Sequence, residues 1–90
     1  MSVKVKVSFH LRRFTDEQEF VEVMGHTPLE CLQDLETQFP GIKRYIYDKH
    51  GDLRPQLQFF VNGQIIYSNE LDATLKDGDG LFILLAIGGG

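Results

Sequence analysis

From residue 3 the chain alternates. Val3, Val5, Val7, Phe9 and Leu11 share one side of a two-residue period, and Lys4, Lys6, Ser8 and His10 share the other. A strand shows successive side chains to opposite faces, so this stretch predicts a half-buried strand with its apolar set inward. LRRFTDEQ interrupts the alternation with charges and predicts a connecting turn. EFVEVM resumes it, with Phe20 or Val21 setting the register, and predicts the return strand of a hairpin.

The period then lengthens. In HTPLECLQDLETQF the residues Leu29, Leu32, Leu35 and Phe39 recur at helical spacing, while Gln33, Asp34 and Gln38 face elsewhere. Thr27 stands where an N-cap belongs, Pro28 at the first helical position and Glu30 three residues after the cap, the signature of a capping box. Pro40-Gly41 predicts the end of the helix, because proline has no amide to donate and disfavours helical geometry in the residue before it. IKRYIYDKHG has room for one more short helical turn. LQFFVNGQII is a strand, an Asn-Gly turn and a strand. SNELDATLKDGDG is rich in turn residues, and LFILL predicts a last, buried strand.

The order is strand, strand, helix, then three strands. One amphipathic helix covers one face of a sheet, which predicts a two-layer α+β domain with a mixed sheet of four to five strands on one main helix. The expected core is Val3, Val5, Phe9, Leu32, Leu35, Phe59, Val61 and Ile83. By analogy of element order, the architecture is β-grasp, the ubiquitin-like fold, over residues 1–85, followed by a flexible glycine tail at 86–90.

Composition narrows the function classes. Ninety residues suit one domain, which at this size buries roughly 60% of its unfolded surface without staples. Thirteen acidic against nine basic residues give a net charge of −4, which argues against nucleic acid as a partner. The lone Cys31 excludes an internal disulfide and suits a reducing cytoplasm. No apolar run is long enough for a membrane span, and the first residues lack a signal-peptide core. His10, His26 and His50 keep no metal-ligand spacing with one another or with Cys31. His10 reads as a surface residue and Cys31 as an inert, partly buried thiol. No catalytic residue, bound cofactor or metal is expected.

The chemistry lies at the end of the sequence, where LFILLAI gives way to Gly88-Gly89-Gly90. Glycine is a poor core element, because it has no side chain to bury and loses the most freedom on ordering. It suits a strip that enters a narrow cleft extended, with its backbone open to a host's hydrogen bonds. From Ala86 to Gly90 such a strip reaches about 16 Å at ~3.3 Å per residue. Its reactive group is the Gly90 carboxylate, inert as an acyl donor at neutral pH unless an ATP-dependent partner converts it to an acyl adenylate. A sulfur or nitrogen nucleophile then meets a carbonyl with no flanking side chain. The alternatives are a frayed terminus or a cloning scar.

At this point the chain resembles the MoaD/ThiS-type sulfur-carrier family, which includes the molybdopterin synthase small subunit and the carriers of thiamin and cysteine pathways. LRRFTDEQ is similar to that family's first hairpin connection, and TPLECLQDLETQFPGI to its helix and helix exit. LRPQLQFFVNGQ and LDATLKDGDGLFIL are similar to its central hairpin and last strand, and Gly89-Gly90 to its diglycine. The chain departs from the family in carrying Leu84-Leu85-Ala86-Ile87 where many relatives have prolines, and Gly88 where alanine is common. The resemblance implies a carrier, not an enzyme. A partner adenylyltransferase related to ubiquitin-activating enzymes would spend Mg-ATP on Gly90, a sulfur donor would complete the thiocarboxylate, and a synthase subunit or sulfhydrylase would accept the sulfur. Gly88 and Gly89 would be the recognised lead.

Alternation also predicts a partner surface. If Phe59 and Ile83 face the helix, then Phe60, Phe82 and Leu84 face outward on an uncovered sheet, a docking surface for the adenylyltransferase. A one-residue register slip would reverse the faces, and a homodimer contact would also cover them. Two other functions stay open: a ubiquitin-like modifier joined to lysines through Gly90, and a plain β-grasp interaction module.

Overall fold

The computed structural model describes residues 2–86. The glycine-tail expectations at Gly88, Gly89 and Gly90 therefore lie outside the described residues. Five strands form one sheet: β1 (Ser2–Val7), β2 (Phe20–Met24), β3 (Leu57–Val61), β4 (Gln64–Ile66) and β5 (Gly80–Leu85). Their spatial order is β2-β1-β5-β3-β4. β1 and β5 run parallel at the centre, and the remaining neighbours pair antiparallel. The main helix α1 (Pro28–Gln38) covers one face, and a short helix α2 (Lys43–Ile46) follows it, as the sequence allowed. This is the β-grasp arrangement of a mixed sheet on one main helix. No described helix is long and apolar enough to cross a membrane.

β1 buries Val3, Val5 and Val7, as alternation predicts, but it stops four residues earlier than expected. From Phe9 to Phe14 the chain winds into a 3-10 helix, opened by the Leu11 N–H donating to the Ser8 carbonyl at 2.9 Å. Two positions apart share a face in a strand, whereas at three residues per turn they point away from each other. Leu11 consequently stays in the core while Phe9 leaves it, 74% exposed. Phe9 is thus a correction to the expected core.

The α1 cap forms locally. The Thr27 hydroxyl accepts the Glu30 N–H at 3.1 Å, and the Glu30 carboxylate accepts the His26 N–H at 2.8 Å, one residue before the cap. Pro28, Cys31, Leu32, Leu35 and Glu36 form the buried side of the helix. Leu29 lies outside it, 37% exposed, so the apolar stripe is rotated from the expected one toward Cys31. Gly25 explains the rotation's tightness. A Cβ there would sit 2.8 Å from the Cys31 backbone nitrogen and 2.9 Å from its Sγ, so the end of β2 meets the helix start with no side chain between them. Of the remaining expected core, Val5, Leu32, Leu35, Phe59 and Ile83 are buried, and Val61 is partly buried against them.

The Asn62-Gly63 turn has φ values of 52° and 85°, the left-handed pair that a two-residue hairpin with right-handed twist requires. The Asn62 side chain also holds the turn before β5. It donates to Asp79 Oδ1 and accepts the Gly80 N–H, each at 2.9 Å. The Lys76 N–H, donating to Asp79 Oδ2, and the Asn62 amide keep the Asp79 carboxyl below the usual carboxylate range.

Candidate functional site

β5 carries the chain to the tail, and its end is held from both sides. β1 turns away after Val7, so the next β5 amide on that side has no backbone partner. The Ser8 N–H still reaches the Ile83 carbonyl at 3.0 Å, and the buried Ser8 hydroxyl accepts the Leu85 N–H at 3.0 Å. On the β3 side the Ala86 N–H donates to the Gln56 carbonyl at 2.9 Å. Ser8 thereby extends the pairing of β5 beyond the strand beside it, and the last described residues, Leu85 and Ala86, are held in place. The first expected strand put Ser8 on its polar face. No local signal distinguished it from an exposed serine, because its role depends on β1 ending at Val7.

The open face of the sheet shows the expected register. Phe59 and Ile83 are buried, while Phe60, Phe82 and Leu84 are partly exposed on the opposite face. Phe60 and Phe82 are direct cross-strand partners, with ring centroids 5.7 Å apart and planes at 30°. Cross-strand aromatic pairs of this kind stabilise a sheet. Leu84, two residues along β5 from Phe82, continues the row toward the tail.

Two features enlarge this patch beyond the sequence reading. Val5 pairs with Val21 and Lys6 with Phe20, which settles the β2 register and puts Phe20 on the open face, 49% exposed. Lys4 and Lys6 then stand among the rings, with Lys4 Nζ 5.5 Å from the Phe20 centroid and Lys6 Nζ 5.2 Å from that of Phe82. Glu19 pairs with Lys6 at 3.7 Å and with Arg12 at 3.4 Å. Lys4, Lys6, Phe20, Phe60 and Phe82 surround a shallow depression of about 190 Å³. Its walls are apolar and its margin cationic, which suits an apolar protein segment flanked by a carboxylate.

The other candidate groups stand apart. His10 and His26 are exposed, and among the described residues no cluster of three or more metal-ligating side chains forms. Cys31 is fully buried, and burial, followed by the Glu30 and Asp34 charges, pushes its thiol up to about 11. A thiol so protonated is a poor nucleophile at neutral pH.

The model of the family described as the ThiS family matches residues 5–90. The sulfur carrier protein CysO of Mycobacterium tuberculosis is 32% identical, with all of this chain and all of that protein covered. The crystal structure of the Amycolatopsis orientalis BexX/CysO complex contains a chain 36% identical to this one, at a TM-score of 0.82, covering 98% of this chain and 99% of the other. SAMP1 from Haloferax volcanii superposes at a TM-score of 0.87 over 100% of both chains and, at 20% identity, shares the fold. The family model matches nearly the whole chain, through the final glycines, and the chain belongs to the ThiS family.

Proposed function

We propose that this protein is a sulfur carrier of the cytoplasm, a substrate of other enzymes rather than an enzyme itself. The observation that carries the reading is full-length similarity, at 32% identity, to a protein named as a sulfur carrier. The family match, running through the glycines to residue 90, agrees with it.

In this reading a Gly90 carboxylate oxygen attacks the α-phosphorus of Mg-bound ATP, and pyrophosphate leaves. Hydrosulfide supplied by a sulfur donor next attacks the acyl carbon, the acyl–phosphate bond breaks with AMP leaving, and loss of the sulfur's proton gives the thiocarboxylate. The thiocarboxylate sulfur then attacks an electrophile held by an acceptor enzyme, a synthase subunit or sulfhydrylase. Gly88 and Gly89 carry the acyl carbon into each cleft without side chains. The domain supplies a fixed exit at Leu85 and Ala86 and a recognition surface. That surface is the row Phe60, Phe82 and Leu84, with Phe20 and the two lysines beside it, and the activating enzyme docks there.

Intact-mass measurement tests the chemistry. Incubated with its adenylyltransferase, ATP, Mg and a sulfur donor, the protein should gain the mass of sulfur replacing one oxygen, localised to Gly90. A variant with one alanine appended after Gly90 should not. Equal exchange in both, or none in the parent, removes the proposal.

A further inference from the structure

Phe9 is the most exposed large apolar side chain among the described residues. Its position is as notable as its exposure. Phe9, His10, Arg13, Phe14 and Tyr45 line a groove of about 300 Å³, and Leu85, the last residue of β5, lines it with them. The groove thus lies at the root of the tail, where the Ser8 and Gln56 hydrogen bonds fix the exit.

Stacked groups form one wall, Arg13, Phe14 and Tyr45, with Arg44 behind Tyr45 outside the lining. Arg13 Cζ is 5.3 Å from the Phe14 ring centroid, Phe14 stacks on Tyr45 at 4.3 Å and 30°, and Arg44 Cζ lies 5.8 Å from the Tyr45 centroid. Neither arginine forms an ion pair among the described residues, although the chain carries a net charge of −4. Glu17 shares the lining, so the groove carries an acidic side chain as well as the Arg13 guanidinium.

Chain length decides what approaches this groove. The five residues from Ala86 to Gly90 reach about 16 Å at ~3.3 Å per residue, so the Gly90 carboxyl lies no farther than that from the end of β5. An enzyme that encloses that carboxyl must bring the mouth of its cleft up to the tail's root. The groove is then at the contact.

We propose that the Phe9–Arg13–Phe14 groove is a second contact surface for the enzyme that activates Gly90, separate from the open sheet face. It receives from the cleft mouth a segment with one carboxylate beside an apolar side chain. The carboxylate meets Arg13, and the apolar group lies against Phe9 and Phe14. This assignment rests on the sulfur-carrier reading.

The test is steady-state adenylation of the full chain by its activating enzyme, read as pyrophosphate release. Phe9→Ser and Arg13→Ala should each raise KM for the carrier about 10-fold, as truncation of an interface anchor does, with kcat unchanged. Arg13→Ala should also flatten the rise of KM with salt, because the lost contact is ionic. Phe9 is exposed, so its truncation opens no core cavity, and should it nevertheless unfold the chain, Arg13→Ala decides. Folded variants with parental KM and salt dependence overturn the groove while leaving the carrier reading intact. A parent chain that releases no pyrophosphate overturns both.

Discussion

Two residues show how much rests on single atoms. The Ser8 hydroxyl is the partner that a strand would otherwise provide for Leu85. Ser8→Ala leaves that amide with no acceptor in a buried position, a loss of about 1–3 kcal/mol where the amide stays dry. Amide hydrogen exchange at Leu85 and Ala86 should accelerate about 5- to 150-fold, the factor that ~1–3 kcal/mol gives, while β1 and β2 amides change far less, and Ser8→Thr should restore protection. Parental exchange at Leu85 in the alanine variant would show that Ser8 does not anchor the exit. Cys31 makes a pH-dependent contribution whose sign follows from its burial. Its pKa rises from 9.0 to about 11 on folding, so the unfolded chain loses the proton first. Stability from this group is fully present below pH 9 and is lost as pH rises through 11. Melting temperature should fall across that interval, and Cys31→Ala should fall less steeply. A residual slope is expected from Tyr47, whose hydroxyl is pushed up by burial and by donating to Glu36 at 2.7 Å.

At the scale of elements, sequence reading succeeded where the determining interactions are local. Thr27, Pro28 and Glu30 start a helix through contacts within four residues, and Asn62-Gly63 closes a hairpin through its own φ values. It failed where an element's end or face depends on distant chain. Alternation continues through Phe9 and Leu11, but the strand does not, because the chain must turn at Ser8 to start the 3-10 helix. Leu71 and Leu75, in the turn-rich segment before β5, are core residues without any periodicity to announce them. The helix face is set by Gly25, which lets Cys31 rather than Leu29 meet the sheet. Gly25→Ala is the decisive substitution here. Its Cβ would press on backbone as well as on Sγ, so the helix start must move. Overpacking of this kind costs about 1–3 kcal/mol, at or above the ~1 kcal/mol expected of losing the Thr27 cap. Chemical denaturation of Gly25→Ala and Thr27→Ala should rank them in that order. A Gly25→Ala protein as stable as the parent would mean that the contact relaxes without cost.

Across the whole molecule, helix and sheet divide the labour: one face makes the core, and the other stays open and carries the proposed docking surface. Phe60, Phe82 and Leu84 were legible as outward residues because a strand has only two faces and Phe59 and Ile83 occupy the inner one. Phe20 was not, because EFVEVM permits two registers until pairing with β1 chooses between them. Phe60→Ser separates recognition from folding. Phe60 is only partly buried, and its main neighbour is another open-face ring, so truncating it removes one aromatic pair worth about 0.5–1.5 kcal/mol and leaves the helix side packed. The fold should persist, with a melting temperature lowered by a few degrees. Adenylation by the activating enzyme should lose about 10- to 100-fold in kcat/KM, carried by KM, as truncation of an interface anchor does. Lys6→Glu should act in the same direction and grow weaker as salt is raised, because its part in the patch is charge. If Phe60→Ser instead leaves adenylation unchanged but abolishes a concentration-dependent self-association of the parent in sedimentation, the open face pairs two copies of this chain. Docking of the activating enzyme must then lie elsewhere, with the groove at the tail's root as the surface that remains.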